Sequence, residues 1–228
     1  MLAVAGGKGG AGKTTTTLGL AGALVRQRRT ALAADADREM PDLHAMAGVA
    51  RDPGLDAVAA GWPARLVAGT ADPPPSGVEV LPAASGPPSA RRNRADAGGV
   101  LARLRGTADA VLLDCPAGAG PDAVAPLRAA DAAVVVTTPE PACLRDAAKT
   151  AAMARELDTP VAGAVVSRGE VPPEGIERLL DCPVLGVVPG AGDSSDNGGR
   201  SSGAEPLADG GVRAAYDRLV SALQPKYL

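Results

Sequence analysis

The chain has 228 residues, of which 46% are hydrophobic and only 1% aromatic, and its formal net charge is −3. We expect one domain spanning residues 1–228, with a core of alanine, valine and leucine. The acidic balance argues against a protein that clamps nucleic acid over its whole surface. Three scattered cysteines indicate no zinc site, and no apolar run is long enough to cross a bilayer, so we expect a soluble cytoplasmic protein.

The first predicted elements are an apolar strand at residues 1–5, a glycine-rich loop and a helix over 16–26. From Gly7 the loop reads G-K-G-G-A-G-K-T, which fits G-x-x-x-x-G-K-[ST]. In this pattern backbone N–H groups surround phosphates, the lysine reaches the outer phosphates and the hydroxyl ligates Mg²⁺. The strand–loop–helix order disfavours a glycine turn that binds nothing. The predicted nucleotide-binding residues here are Gly7, Lys8, Gly9, Gly10, Ala11, Gly12, Lys13, Thr14 and Thr15.

Lys8 is an addition that the general pattern does not require. A cation among glycines is costly unless an anion neutralises it. The loop GGKGGAGKTT resembles the deviant Walker A motif of the MinD/ParA class of P-loop ATPases. In that family the extra lysine reaches across a nucleotide-sandwich dimer, so the resemblance implies an ATP-dependent homodimer in which Lys8 and Lys13 are catalytic. The alternative is a solvated lysine on a loop.

A second predicted strand, at residues 30–34, ends in Asp35 and Asp37. The carboxyl ends of strands are where open α/β sheets bind ligands, so we expect both carboxylates beside the phosphate loop. The resemblance matches them to the D-x-D of the switch I region. It implies that Asp37 positions the attacking water and that Asp35 lies near Mg²⁺. A solvated acidic loop is the alternative.

Short helices are predicted at residues 41–46 and 54–60, with a break at Gly61-Trp62-Pro63. His44 has no cysteine, aspartate or histidine partner at ligand spacing, and we assign it no role. We expect Trp62, the chain's single tryptophan, to be a packing residue.

The next predicted elements are a surface connection at 70–77, a strand at 78–81 and a mobile segment at 85–94. The mobile segment contains the sharpest positive cluster of the sequence. We interpret this cluster as a solvated face, with contact to a partner or a DNA backbone as the alternative. Its members are Arg91, Arg92 and Arg94.

After a predicted helix at 95–105, an apolar strand at 110–113 leads into Asp114. This is the form of a Walker B motif, in which an aspartate at the tip of a buried strand holds Mg²⁺ through water. The D-C-P-A-G at 114–118 resembles the D-x-P-A-G of the MinD branch. Cys115 is predicted to be a small buried residue; a cluster ligand, as in the nitrogenase iron protein, would need a partner cysteine at suitable spacing.

The region 131–140 holds the next predicted strand, and a helix is predicted over 142–157. The run V-V-V-T-T-P-E-P-A-C-L-R-D-A resembles MinD-type proteins, which carry T-x-P-E followed by a helix containing R-D-A. This helix packs against either the sheet or the dimer partner.

Another strand is predicted at 161–166 and ends in Ser167 and Arg168. The resemblance implies contact with the adenine base, although members usually carry asparagine or threonine where this chain has Ser167. It also implies that Pro189 and a flexible loop at about 190–205 lie beside the base.

The last predicted elements are a helix at 172–180, a strand at 184–188 and a closing helix at 209–223. MinD itself ends in a basic amphipathic helix that binds membrane. Residues 224–228 contain one lysine and are too few for such an anchor, so we expect no strong autonomous membrane binding.

These patterns predict an α/β protein with the three-layer P-loop NTPase fold and a mostly parallel, doubly wound sheet of about 7–8 strands. The resemblance implies an ATPase switch of the MinD type that uses ATP and Mg²⁺, with a protein activator or cargo adaptor. Its expected use is division-site placement or partitioning of DNA or another cargo. Two alternatives are an ATP-dependent ligase or iron-sulfur assembly factor on the same scaffold, and a non-hydrolysing binding module.

Overall fold

A single sheet of eight strands runs through the residues that the computed structural model describes, which are 1–72, 75–83, 97–190 and 206–227, without the side chains of 224–226. The strands are β1 Leu2–Gly6, β2 Ala31–Asp35, β3 Gly69–Thr70, β4 Glu79–Leu81, β5 Ala110–Ala117, β6 Ala132–Thr137, β7 Val161–Ser167 and β8 Val184–Val188. Their order is β3-β4-β2-β5-β1-β6-β7-β8. β3 is antiparallel to β4, and the other observed pairs are parallel.

Helices connect the strands and cover both faces of the sheet. They are α1 Lys13–Arg26, α2 Leu43–Met46, α3 Leu55–Ala59, α4 Ala64–Val67, α5 Ala97–Ala102, α6 Val124–Ala129, α7 Pro141–Glu156, α8 Ile176–Leu180 and α9 Gly210–Tyr227, with 3-10 turns at Pro121–Ala123 and Pro206–Ala208. Within the described residues, none of these helices combines the length and apolar character needed to cross a bilayer.

The two faces of the sheet explain why the central strands are continuous apolar runs. In β2, Ala31 and Ala33 point into the core shared with α1 and α9, whereas Leu32 and Ala34 point into the core shared with α3, α4 and α5. Successive side chains of a strand alternate between faces, so a strand buried on both faces needs apolar residues at every position. The parallel pairing then brings the carboxyl ends of β1, β2 and β5 to one edge.

Helices α1 and α9 are in close contact on one face of the sheet. Tyr216 of α9 is 1% exposed, and its hydroxyl lies 3.3 Å from the Thr16 hydroxyl. A Cβ added at Gly19 would lie only 2.3 Å from Cε2 of the tyrosine ring. The ring therefore fills the space that a side chain at Gly19 would occupy.

This contact makes Gly19→Ala an informative substitution. Alanine ordinarily stabilises a helix interior relative to glycine by about 0.5–1 kcal/mol, but overpacking a core costs about 1–3 kcal/mol. We expect Gly19→Ala to lower the free energy of unfolding, measured by urea denaturation. Gly98→Ala is the matched control, because a Cβ at Gly98 of α5 meets nothing within 4 Å and should leave stability unchanged or raised. Equal effects of the two substitutions would contradict the packing argument.

The predicted fold class is confirmed, and the differences concern individual elements. Trp62 does not pack as predicted; it is 61% exposed, because the chain turns outward after α3 and only Ala64 and Val67 of the unpredicted helix α4 are buried. The predicted connection at 70–77 begins with the end of β3, and α9 extends beyond its predicted end to Tyr227. The segment 85–94 with Arg91, Arg92 and Arg94 lies outside the described residues, as do residues 191–205.

Candidate functional site

The loop between β1 and α1 has the conformation of an anion cradle. Gly10 and Gly12 have φ values of 75° and 92°, in the left-handed region that favours glycine. Gly12 is the N-cap of α1, so the positive end of that helix faces the loop. Lys13 is 8% exposed, and its Nζ donates to the Lys8 carbonyl oxygen at 3.4 Å. The Lys13 ammonium group thus lies inside the loop.

The start of the loop is pressed against α7. A Cβ at Gly7 would lie 2.1 Å from the carbonyl carbon of Asp146, so no larger residue fits without a backbone shift. The neighbouring Lys8 is exposed, as are Gly9 and Gly10. A hydrogen bond from Lys149 chiefly holds the pKa of Asp146 below its ordinary value, with a smaller attraction from Lys8. Lys8 therefore lies at the mouth of the loop, beside α7.

The end of β7 holds the other side of the loop. The Ser167 hydroxyl donates to the Ala11 carbonyl oxygen at 2.6 Å, and the Arg168 guanidinium donates to the Gly10 carbonyl oxygen. Ser167 pairs in register with Val188 of β8, so Pro189 follows at the same edge and is half-buried. The base contacts predicted for Ser167, Arg168 and Pro189 stay predictions, whereas the loop-holding contacts were not foreseen.

Two buried carboxylates face each other at the carboxyl ends of β2 and β5. Asp35 and Asp114 are register neighbours and are 0% and 2% exposed. Asp35 accepts backbone hydrogen bonds from Asp37 at 3.0 Å and Leu43 at 3.2 Å. Asp114 Oδ1 accepts from the Thr17 hydroxyl at 3.2 Å. The chain thus brings both predicted metal-shell aspartates together, next to α1.

Burial makes ionisation of this pair unfavourable. Burial first, and then repulsion from Asp114, raises the pKa of Asp35 to about 8. Burial also raises the pKa of Asp114 to about 7, although the charge of Lys13 and the hydrogen bond from Thr17 oppose the shift. A nearby divalent cation would favour the ionised forms of both groups, and carboxylate oxygens are ligands that Mg²⁺ accepts. The residues present fit that ion.

A third carboxylate, Asp42, was missed by the sequence reasoning. The Thr14 hydroxyl donates to Asp42 Oδ1 at 3.0 Å, and repulsion from Asp42 raises the pKa of Asp114. Asp42 is the N-cap residue of α2, so from sequence it looked like an ordinary helix start. In the described residues no group of three or more His, Cys, Asp or Glu side chains is arranged to hold a metal by itself. Mg²⁺ commonly binds through one or two carboxylates, waters and phosphate oxygens, so this geometry suits a nucleotide-dependent ion.

Comparison with known proteins identifies the family of the chain. Residues 2–201 match the family model described as the CobQ/CobB/MinD/ParA nucleotide binding domain. The chain belongs to this family. The MinD/ParA resemblance predicted from the loop is therefore confirmed.

Relatives and solved structures of this family match most of the chain. An uncharacterised ATP-binding protein of Methanocaldococcus jannaschii is 34% identical over 203 residues, which cover 82% of this chain and 73% of that protein. The cell division ATPase MinD of Pyrococcus furiosus superposes with a TM-score of 0.80 at 28% identity, covering 98% of each chain. The septum site-determining protein MinD of Pyrococcus horikoshii, solved with Mg-ADP, also gives 0.80, at 25% identity over 98% of this chain and 95% of that one.

Two segments of this MinD/ParA-type domain follow β2 and β5 at the edge of the sheet where the phosphate loop lies. Asp37 is half-buried, and its Oδ1 accepts from the amides of Glu39 at 3.1 Å and Met40 at 2.9 Å. Gly118, after β5, has a φ of 85° and donates its N–H to the Gly6 carbonyl oxygen at 3.0 Å. The segment after β5 is thus bonded to the end of β1, whereas the segment after β2 is held by hydrogen bonds within itself.

Thr15 and Cys115 are the other two residues of the MinD/ParA-type domain that lie next to the predicted motifs. The Thr15 hydroxyl lies 3.8 Å from the sulfur of Met46 in α2. Cys115 is 1% exposed, and burial raises the pKa of its thiol. The prediction that Cys115 is a small buried residue is confirmed.

The buried aspartates of this MinD/ParA-type domain predict a pH-dependent stability. A carboxyl group with a raised folded-state pKa keeps its proton when folded and loses it when unfolded, so stability falls as pH rises from about 4 through the folded pKa values of about 7 and 8. We expect the free energy of unfolding of the nucleotide-free protein to decrease between pH 5 and pH 8, measured by urea denaturation. Asp114→Asn should flatten this profile, because the amide does not titrate. An equally steep profile in that variant would contradict the assignment.

Proposed function

We propose that the protein is a Mg-ATP-dependent switch of the MinD type, which dimerises with ATP and hydrolyses it to ADP and phosphate. The observation that carries the proposal is the preformed phosphate loop, with Lys13 buried inside it and Lys8 exposed at its mouth. A buried lysine without a phosphate would be costly, whereas the exposed Lys8 is placed to reach beyond its own chain. The proposed location is the cytoplasm.

In the proposed dimer, the phosphates of each nucleotide contact two lysines, one from each copy of the chain. The loop amides, the α1 N-terminus and Lys13 bind the phosphates of the nucleotide in their own chain. The partner copy supplies its Lys8 to the same phosphates, with the logic of an arginine finger. Because Lys8 is contributed only in the dimer, charge stabilisation during hydrolysis is coupled to assembly.

Asp37 is the proposed residue that orients the attacking water. Its Oδ1 accepts hydrogen bonds from two backbone amides, which hold the carboxylate in place, and Oδ2 is the proposed acceptor for the water. Asp37 acts here by orientation, because a loose phosphoryl-transfer transition state requires little proton abstraction at the start.

Thr14, Asp35 and Asp114 are the proposed Mg²⁺ residues. The Thr14 hydroxyl would ligate the ion, and the buried aspartates would accept hydrogen bonds from waters that the ion holds. When bound, the ion neutralises charge that develops on the phosphate oxygens. Asp42 accepts a hydrogen bond from Thr14 in the nucleotide-free protein, and we propose that it also faces a shell water when the ion is bound.

Ser167, Arg168 and Pro189 are the proposed base-side residues. Ser167 and Arg168 donate to the loop carbonyls of Ala11 and Gly10, and Pro189 follows β8 at the same edge, which supports a position beside the nucleotide. Adenine selectivity is proposed to arise from backbone groups after β7 and β8 rather than from the Ser167 hydroxyl, because that hydroxyl already donates to Ala11.

The cellular use proposed for this switch is spatial positioning, either division-site placement or partitioning of DNA or another cargo. A protein activator or cargo adaptor would stimulate a slow basal turnover. The family description also includes the CobQ and CobB branches, so a ligase on the same scaffold is the second candidate. An iron-sulfur role has less support, because the three cysteines are buried and unclustered within the described part of the chain.

Sizing combined with turnover separates these functions. The wild-type protein is chromatographed with Mg-ADP, with a slowly hydrolysed ATP analogue plus Mg²⁺, and with nucleotide omitted, and phosphate release is measured at several protein concentrations. We expect a dimer only with the ATP analogue, and turnover per molecule that rises with protein concentration. A monomer at saturating analogue would overturn the switch. Turnover that requires an added carboxylic acid would instead establish the ligase.

A further inference from the structure

An open cavity of about 310 Å³ lies far from the phosphate loop, on the face of the sheet covered by α3, α4 and α5. Its walls include Val58, Trp62, Pro63, Arg65, Arg103 and Thr107. Thr107 and Asp109 precede β5, so they lie at the amino ends of the strands. Asp114 is five residues further along that strand, or roughly 16 Å at strand geometry. The cavity is therefore separate from the nucleotide site.

The turn that presents Trp62 is rigidly built. Gly61, with φ of 101°, donates its N–H to the Val58 carbonyl oxygen at 3.0 Å, and Trp62 donates its N–H to Ala57 at 3.0 Å. This pair of bonds is a Schellman motif closing α3. In that motif the residue at Trp62 commonly makes a hydrophobic contact, yet the indole remains 61% exposed. Leu66 of α4 is 74% exposed on the same segment.

The cavity also has a positive rim. The Arg103 guanidinium donates to the carbonyl oxygens of Val58 and Ala59 at 3.1 and 3.2 Å, and Arg65 donates to the Thr107 carbonyl oxygen. These neutral acceptors orient the two cations without neutralising them. Asp109 attracts Arg65 and Arg29, but its Oδ2 already accepts two hydrogen bonds from Thr30. Arg65 and Arg29 thus lie near the same carboxylate, while Arg103 donates to backbone carbonyl oxygens, on a chain whose net charge is −3.

We propose that this Trp62 surface binds a short segment of a partner protein that carries an apolar anchor side chain flanked by carboxylates. Tryptophan and arginine are enriched at the hot spots of protein interfaces, and both line this cavity. The positive rim favours acidic residues on either side of the partner's anchor side chain. The chain's own segment 84–96 contains three arginines and one aspartate, so its charge does not complement this surface. Since the surface is remote from the nucleotide, docking persists in the ADP and ATP states. A partner could therefore stay attached while the proposed switch cycles.

The chain carries its own reporter for the test, since Trp62 is its single tryptophan. Three blocked peptides serve as probes: two central leucines flanked by glutamates, the same leucines flanked by lysines, and the glutamate peptide with serines in place of leucines. Indole emission of the full-length protein is titrated with each. We expect the acidic leucine peptide to bind at least about tenfold more tightly than the other two.

Variants assign the binding to this surface. With a fluorescent acidic leucine peptide followed by anisotropy, Trp62→Ala and Arg65→Glu should each weaken binding about tenfold or more, while Arg65→Lys retains most of it. Leu179→Ala and Arg178→Glu on α8 are the matched controls, as both residues are exposed on another part of the protein. Unfolding curves of each variant exclude loss of fold as the cause.

Three outcomes would overturn the proposal. They are equal binding of the three peptides, binding unaffected by Trp62→Ala and Arg65→Glu, and binding of a small anionic aromatic dye at Trp62 without any peptide binding, which would indicate a small-molecule site. The affinity for the acidic leucine peptide should agree within about twofold between the protein with Mg-ADP and the protein with Mg²⁺ and the ATP analogue. The Lys13→Ala variant should bind this peptide with the wild-type affinity, also within about twofold. Peptide binding therefore tests this proposal even if the protein proves not to be an ATP-dependent switch.

Discussion

Lys8→Ala is expected to keep the protein monomeric at saturating Mg-ATP and to lower steady-state ATP turnover by about 100-fold or more. Lys8 is exposed at the mouth of the loop, so its removal takes no buried group from the monomer. A charge supplied from a partner copy stabilises the transition state, and its loss affects hydrolysis more than binding. Phosphate release and size-exclusion chromatography measure the two effects.

The control for Lys8→Ala is Lys149→Ala, which removes a nearby exposed ammonium group that bonds Asp146 at 2.9 Å. It should retain dimerisation and turnover within about twofold. Affinity for Mg-ADP, measured with a fluorescent analogue, should be unchanged in both variants. A Lys8→Ala protein that still dimerises and turns over ATP normally would reject the trans-acting role.

Lys13→Ala is expected to weaken the binding of both ADP and ATP by about 100-fold or more. The stem of Lys13 packs beside Gly6, where a Cβ would lie 3.3 Å from the lysine Cγ, and its ammonium group donates to the Lys8 carbonyl oxygen inside the loop. Truncating one partner of a buried charged contact costs about 2–5 kcal/mol. Isothermal titration with Mg-ADP measures the loss directly, without dependence on hydrolysis.

Lys13→Ala should also change the nucleotide-free protein. Lys13 opposes the upward shift of the Asp114 pKa, so its removal should raise that pKa further and steepen the loss of stability between pH 5 and pH 8. Lys13→Arg is the companion variant: it keeps the charge but not the fit, so it should restore the pH profile while binding ADP weakly. Normal nucleotide affinity in Lys13→Ala would remove the basis of the proposed function.

The phosphate loop and the ends of the strands could be predicted from sequence, because each of these features depends on a few consecutive residues. The phosphate loop needs glycines at left-handed positions, which Gly10 and Gly12 occupy, and a lysine and hydroxyl immediately after them. The ends of the strands could be predicted because strands buried on both faces are continuous apolar runs. Asp35 and Asp114 therefore stood out as polar residues where such runs end, although β5 continues past Asp114 to Ala117.

Other features depended on contacts between residues far apart in the chain. The bond from Thr14 to Asp42 spans 28 residues, and the one from Ser167 to Ala11 spans 156. Neither has a periodicity or motif that sequence reasoning could detect. Trp62 was wrongly predicted to pack, because the sequence does not show that the turn between α3 and α4 leaves this side chain 61% exposed.

The sequence by itself determined the chemistry of the phosphate loop, the alternation of strands and helices, and membership of the MinD/ParA-type family. These follow from backbone preferences and side-chain periodicity, which act over a few residues. Only the tertiary structure decided which acidic groups meet, what holds the loop, why Gly19 must lack a side chain and where Trp62 points. The order of strands in the sheet, β3-β4-β2-β5-β1-β6-β7-β8, sets those contacts, because it brings together chain segments that are up to 200 residues apart, as in the Thr16–Tyr216 contact.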